Sequence, residues 1–374
     1  MFHRVHRFRD VFIGLFIGSR RRRVKKNIES TLRTVTEDRS CDKRIENERA
    51  YAALSGLAIG DALGMPTQSL TREEIVAQFE VILTTFHTSR PDHPFAPGLA
   101  AGTITDDTEQ ALILAEELLA SSEKFDVRHY ARRLVRWEQD VRQRGLLDLL
   151  GPSTKLALVN IESGVDPAVS GRSGTTNGAA MRIAPVGIIS SSADVDALVN
   201  RVIEVSALTH NTAMALSGAA AVAATISAGI DGASLDDALA VALKAAKVVE
   251  TKFGASGAGL VGERIQQAVA IGRRLTGAAL IEAIGTDIGT SLASEESVPA
   301  AFAVMVSNRD DGWMACRVAA SLGGDTDTIG AMTGAMSGAL RGRHAFPSWA
   351  VEKVERTNHL DLASVARELL LARR

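Results

Sequence analysis

The run from Thr212 to Ile230 is Ala-rich, apolar on every side when helical, and nearly long enough to cross a bilayer. A helix of that kind has to be enclosed, by lipid or by other helices. Ser217, Gly218, Thr225 and Ser227 lie within it, which favours a buried central helix over a membrane span. A second segment points the same way. Gly330, Gly334 and Gly338 recur at four-residue spacing and put a smooth glycine face on one helix, suited to a close helix–helix crossing.

The rest of the chain supplies partners for such helices. Amphipathic or buried helical patterns run over 128–142, 194–205, 235–249 and 261–274, and period-2 alternation is scarce. Aromatic residues make up only 4% of the 374 residues, with Ala and Gly filling their place. The expectation is an all-α fold, one multi-helix domain over about 46–374. Residues 1–45 read differently, as a basic and disordered extension. The segment 1–26 carries +8, which leaves −10 for the rest of a chain whose formal charge is −2. Its apolar stretch, Val11 to Ile17, is too short to span a membrane. An acidic body argues against nucleic acid as the main partner. The two cysteines, Cys41 and Cys316, show no metal spacing and fit a reducing, cytoplasmic setting.

Chemistry concentrates in two short stretches. Thr105-Asp106-Asp107-Thr108 and Gly323-Gly324-Asp325-Thr326-Asp327-Thr328 each cluster carboxylates and hydroxyls where a loop enters a helix. Helix capping explains part of this, since Asp106 with Glu109 reads as a capping box and Asp325 or Asp327 as an N-cap. Capping needs one Asp, and each stretch has two. Hard oxygen donors suit Mg²⁺ or Mn²⁺, and four aspartates brought together repel strongly unless cations lie between them. Gly323-Gly324 would let the backbone turn tightly around a ligand. Three further stretches stand out. Gly60-Asp61-Ala62-Leu63-Gly64-Met65-Pro66 reads as a helix ending in a Gly/Pro turn, with Asp61 in need of a local partner. The loop Gly171-Arg172-Ser173-Gly174-Thr175-Thr176-Asn177-Gly178 precedes a helix and has the composition to hold a phosphate, without being a Walker motif. His210 stands just before the Ala-rich helix and matters only if the fold brings it to that loop.

Taken in order, Gly60-Asp61-Ala62-Leu63-Gly64, Thr105-Asp106-Asp107-Thr108, Asn177-Gly178-Ala179-Ala180-Met181-Arg182, Thr209-His210 and Gly323–Thr328 resemble the motifs of the ADP-ribosylglycohydrolase family. The resemblance runs from about residue 48 to beyond 340. It implies an all-α fold, two Mg²⁺ or Mn²⁺ ions and hydrolysis of a glycosidic bond to ADP-ribose or a related ribosyl group. The partner it implies is a small ribosyl substrate or an ADP-ribosylated acceptor. It implies Thr105, Asp106, Asp107, Asp325, Asp327 and Thr328 as metal ligands, with Asp107 and Asp325 central to catalysis. Arg172, Ser173, Gly174, Thr175, Thr176, Asn177, Gly178 and His210 would border the substrate, with the loop amides near its phosphates. One position departs from the pattern, as in a bacterial subgroup with less defined substrates. The family's Glu after the first motif is here Gln68, which cannot exchange a proton near neutral pH. Glu73 and Glu74 are close in sequence but are expected in the first turn of a helix capped by Thr71. The alternatives are a weakly catalytic ribosyl-binding protein of the same fold and a hydrolase of a smaller modified nucleoside.

Overall fold

The Ala-rich run forms the helix Ala213–Ile230, and 89% of it is buried within the fold. In this computed structural model the described residues are 43–374, apart from 122–124, 147–150 and 257–258. Most of the expected basic extension therefore lies outside them. Helices Ala184–Ile189, Val195–Ser206, Leu235–Lys252, Ser294–Ser307 and Thr326–Arg341 pack around the central one. Twelve of its eighteen residues are Ala, Gly or Ser, so neighbours approach closely from several directions. The chain from Glu46 to Arg374 forms one unit. Among the described residues there is no strand, only an isolated antiparallel bridge between Thr176 and Ala293.

The expected helices appear with shifts of a few residues that have local causes. The helix expected from Asp194 begins at Val195, because Asp194 is its cap and accepts the Ala197 amide. Likewise Thr212 caps the central helix through the Ala215 amide. The helix expected from Arg128 runs Val127–Gln143, with Asp126 as cap. Thr71 and Glu74 form a reciprocal capping box on the helix Arg72–Gln78, so Glu73 and Glu74 lie in its first turn as expected.

The glycine face does what its spacing suggested. Helix 43–64 and helix Thr326–Arg341 cross with their backbones in contact. A Cβ on Gly60 would lie 1.9 Å from the Gly330 carbonyl oxygen, and one on Gly334 would lie 1.9 Å from that of Gly56. Gly338 meets Ala52 in the same way, at 2.0 Å. The crossing continues to the end of the first helix, where a Cβ on Gly64 would fall 2.4 Å from the Cα of Asp327. The last turn of one helix is thereby pressed against the N-terminus of the other. Beyond it, the Ser69 amide donates to the Gly324 carbonyl at 2.7 Å and the Gly324 amide to that of Leu70 at 2.9 Å. Gly323 and Gly324 adopt φ of +90° and +75°, the left-handed geometry anticipated for that pair.

Candidate functional site

At this crossing the two Asp/Thr stretches meet. Asp106 and Asp107 open the helix Asp106–Ala120, and Asp327 lies in the first turn of Thr326–Arg341. Carboxylate oxygens of Asp106, Asp107 and Asp327 converge within 4.8 Å of one another, and all three residues are buried. Burial first, then the neighbouring aspartates, raises all three carboxyls well above the ordinary range. Asp107 Oδ1 and Asp327 Oδ2 are buried without any hydrogen-bond partner. Unpartnered carboxylate oxygens inside a protein are costly as they stand. A divalent cation removes that cost, and every donor here is a hard oxygen.

Capping does not account for the cluster. Thr105 and Asp325 occupy the N-cap positions, yet neither side chain bonds a helix amide. Glu109 reaches outward to Arg144, at 2.7 and 2.8 Å, and to the Trp137 indole, so the expected capping box with Asp106 is absent. The Thr105 hydroxyl is instead engaged by Asp61. One Asp61 carboxylate accepts the Thr105 amide and hydroxyl, at 2.9 and 2.7 Å, and those of Thr108, at 3.2 and 2.5 Å. Burial pushes the Asp61 carboxyl up to about 6, against these four donors. Its partners lie 44 and 47 residues away, not in the local turn that the sequence suggested. Asp61 clamps the first Asp/Thr stretch to the end of helix 43–64, and its place in the first of the five ordered motifs was the available signal.

Of the three, Asp106 reaches the floor of a cavity of about 340 Å³, while Asp107 and Asp327 are not among its lining residues. Asp106, Asp325, Thr328, Gln68 and Asn177 line its polar side, while Phe95, Pro152, Met181 and Leu292 are apolar walls. Asn177 donates from Nδ2 to Asp325 at 2.5 Å and to Ser297 Oγ at 2.9 Å. Burial raises the Asp325 carboxyl to about 6, while Asn177, Thr328 and Gln68 pull it down by hydrogen bonding. Gln68 thus stands in the site, at the place the family pattern assigns to a Glu, and next to Ser69, whose φ is +64°.

The Gly/Ser/Thr loop splits in two. Thr176, Asn177 and Gly178 line the cavity, whereas Arg172, Ser173, Gly174 and Thr175 do not. Several loop amides are already used inside the fold. The Asn177 amide donates to Leu292, that of Gly174 to Gly171 and that of Arg172 to Val169. Gly174 packs its Cα against the backbone of Thr209 and His210. His210 is completely buried beneath the loop. Burial, then the Arg182 cation, holds its imidazole well below the usual range, so it is neutral. Its Nδ1 meets Thr209 Oγ1 at 2.8 Å and its Nε2 meets Thr176 Oγ1 at 3.0 Å. Arg182 also donates to the Thr209 hydroxyl. The other arm of Arg182 donates to Gln110 at 2.7 Å, and Gln110 Nε2 donates to Asp106 at 3.3 Å. One buried cation therefore braces both the loop and the acidic cluster. The sequence pattern places His210 at the substrate; the structure puts it one layer behind. Gln110 has no signal in the sequence at all, because a single Gln inside a helix carries no pattern.

The sequence profile of the ADP-ribosylglycohydrolase family matches residues 42–374. An uncharacterised protein of Escherichia coli, YegU, is 34% identical over 87% of this chain and 97% of its own length. The ADP-ribosylarginine hydrolase Tri1 of Pseudomonas putida is 30% identical over 91% of this chain and 81% of its own. A solved structure described as an ADP-ribosylglycohydrolase-related protein complex superposes with a TM-score of 0.66 at 26% identity, covering 88% of this chain and all of that one. With an all-helical fold, a buried acidic site at a helix crossing and a profile match over nearly the whole body, this chain belongs to the ADP-ribosylglycohydrolase family.

Proposed function

We propose that the protein is a divalent-metal-dependent hydrolase that cleaves an N- or O-glycosidic bond between ADP-ribose, or a related ribosyl group, and its acceptor. The convergence of Asp106, Asp107 and Asp327, with two buried carboxylate oxygens left unpartnered, carries this reading. In it, Thr105, Asp106, Asp107, Asp325, Asp327 and Thr328 hold two Mg²⁺ or Mn²⁺ ions. Bound there, such ions would fix the sugar hydroxyls and supply an activated water at neutral pH.

The chain's own residues do the rest. Glycosidic cleavage develops positive charge at the anomeric carbon, so a floor that holds the sugar rigidly in its reactive geometry lowers the barrier. Asp61 holds Thr105 and Thr108 in place, and Asn177 orients Asp325. Thr176, Asn177 and Gly178 border the substrate over the neutral His210. The apolar walls exclude water from the leaving group. Gln68 is a hydrogen-bonding residue in this scheme and does not carry the proton. That role passes to a carboxylate of the floor. Gln68 is also the observation behind a second reading, a ribosyl-binding protein with little turnover.

The test is a mass-spectrometric hydrolysis screen with and without Mn²⁺, over ADP-ribosyl-arginine, ADP-ribosyl-serine and simple nucleosides, with Asp325→Asn as control. Metal-dependent release of a ribosyl product, lost in the variant, is the expected result. If the folded, metal-loaded parent releases nothing while Gln68→Glu does, the binding reading replaces it.

A further inference from the structure

Between Thr154 and Thr176, which both line the cavity, the chain leaves the site and returns to it. The excursion consists of the rest of the helix Pro152–Glu162 and the loop and short turn up to Ser170. Its far end is unusual in two independent ways. Four of the eleven large apolar side chains exposed among the described residues fall within it: Leu156, Val159, Val165 and Val169. Across from it, a second cavity of about 630 Å³ is lined by Arg128, Arg132 and Arg136 of the helix Val127–Gln143.

The arginines of that helix divide by face. Arg133 pairs with Glu116 and Glu117, and Arg142 with Glu138. Arg128, Arg132 and Arg136, spaced four residues apart on one face, come within ion-pair distance of no carboxylate among the described residues. Arg132 acts only from a distance on Asp126, the cap of its own helix. Like charges at this spacing oppose helix formation, and they stand on a body that is otherwise acidic. Glu162 and Asp166 line the opposite side of the cleft, so its lining carries three cations against two carboxylates and keeps a net positive charge.

We propose that this cleft and the apolar tip beside it dock an acidic, partly apolar polypeptide segment of the macromolecule whose ribosyl group enters the catalytic cavity. The proposal rests on the hydrolase reading above. The helix Pro152–Glu162 joins the two places: Pro152 and Thr154 line the catalytic cavity, Ile161 and Glu162 line the cleft, and its eleven residues span about 16 Å, within reach of a short extended peptide. Carboxylates of the partner answer the arginines, and its apolar side chains cover the exposed leucine and valines, an apolar contribution that a nucleic acid backbone would not make.

The experiment uses fluorescence anisotropy on the full chain. The probes are a labelled twelve-residue peptide of alternating Glu and Leu, its Gln-for-Glu counterpart and a single-stranded DNA of equal charge. The Glu peptide should bind, weaken with added salt, and lose about ten-fold in affinity in the Arg128→Glu/Arg132→Glu/Arg136→Glu variant. Mn²⁺-dependent cleavage of free ADP-ribosyl-arginine should stay at the parental rate in that variant, so loss of docking and loss of the hydrolase reading are separate results. Should the triple variant unfold, Arg132→Glu alone should weaken peptide binding about two- to three-fold. Equal binding of the Gln peptide, equal or tighter binding of the DNA, or affinity unchanged by the arginine substitutions would each overturn the proposal.

Discussion

The floor of the catalytic cavity and its outer wall are held by different means. The floor rests on two helices whose backbones touch through Gly56, Gly60, Gly64, Gly330, Gly334 and Gly338, and its carboxylates are buried. The outer wall, from Gly151 to Gly178, is a short helix, turns and loop with four exposed apolar side chains. A metal site needs ligands fixed to within tenths of an ångström, and close backbone contact leaves no slack. A wall that admits different leaving groups needs no such precision. On the proposed reading, the fold keeps rigidity where charge is concentrated and leaves variation for the wall that would meet the acceptor.

The sharpest way to break this contrast is at the helix crossing. Gly60→Val places side-chain atoms where the Gly330 carbonyl already sits, so the helices must separate. The expected loss is about 3 kcal/mol in urea denaturation, with Mn²⁺ stabilisation abolished. A comparable glycine change in the outer wall, Gly164→Ala, meets no neighbouring atom. It carries only the strain of its φ of +85° and should cost about 1 kcal/mol. Equal effects at the two positions would remove the distinction.

A medium effect is expected from pH. The folded-state carboxyls of Asp61 and Asp325 lie at about 6, above their ordinary value of 3.8. A raised carboxyl binds its proton more tightly in the folded state. Stability from this source is therefore complete below pH 4 and is lost as pH rises through 6. Metal-free protein should lose on the order of 2 kcal/mol between pH 4 and 7.5 from each of these two groups. Saturating Mn²⁺ should reverse the trend, because ligation requires the deprotonated forms. Thermal melts at several pH values, with chelator and with Mn²⁺, measure both slopes. Parallel slopes would mean that the cluster is not a metal site.

The smallest effect belongs to the helix at the margin of the site. Thr71→Ala removes a cap worth about 1 kcal/mol, and Glu74→Gln weakens the same box. Neither should alter turnover or metal response. A large drop in kcat for Glu74→Gln would identify it as the acid that Gln68 cannot be.

Much of this architecture is legible in the sequence. Apolar helical runs, a four-residue glycine spacing and paired Asp/Thr stretches are local patterns, and each maps to a helix, a crossing or a helix start. The resemblance of five ordered motifs locates the site. Some local patterns are outcompeted in the fold. Asp106 and Glu109 look like a capping box in sequence, but Arg144 and Trp137 take Glu109 away. Asp61 reads as a turn residue because its partners, Thr105 and Thr108, come from another helix.

By itself the sequence determined the helical class, the buried central helix and which side chains carry hard oxygen donors, since these follow from composition and short-range periodicity. Only the tertiary structure decided that three carboxylates converge, that His210 supports the loop from beneath, and that Arg128, Arg132 and Arg136 face a cleft in which they form no ion pair with a described carboxylate. Those facts depend on which distant segments meet, and a helix's own pattern records the face it buries without recording what lies against it.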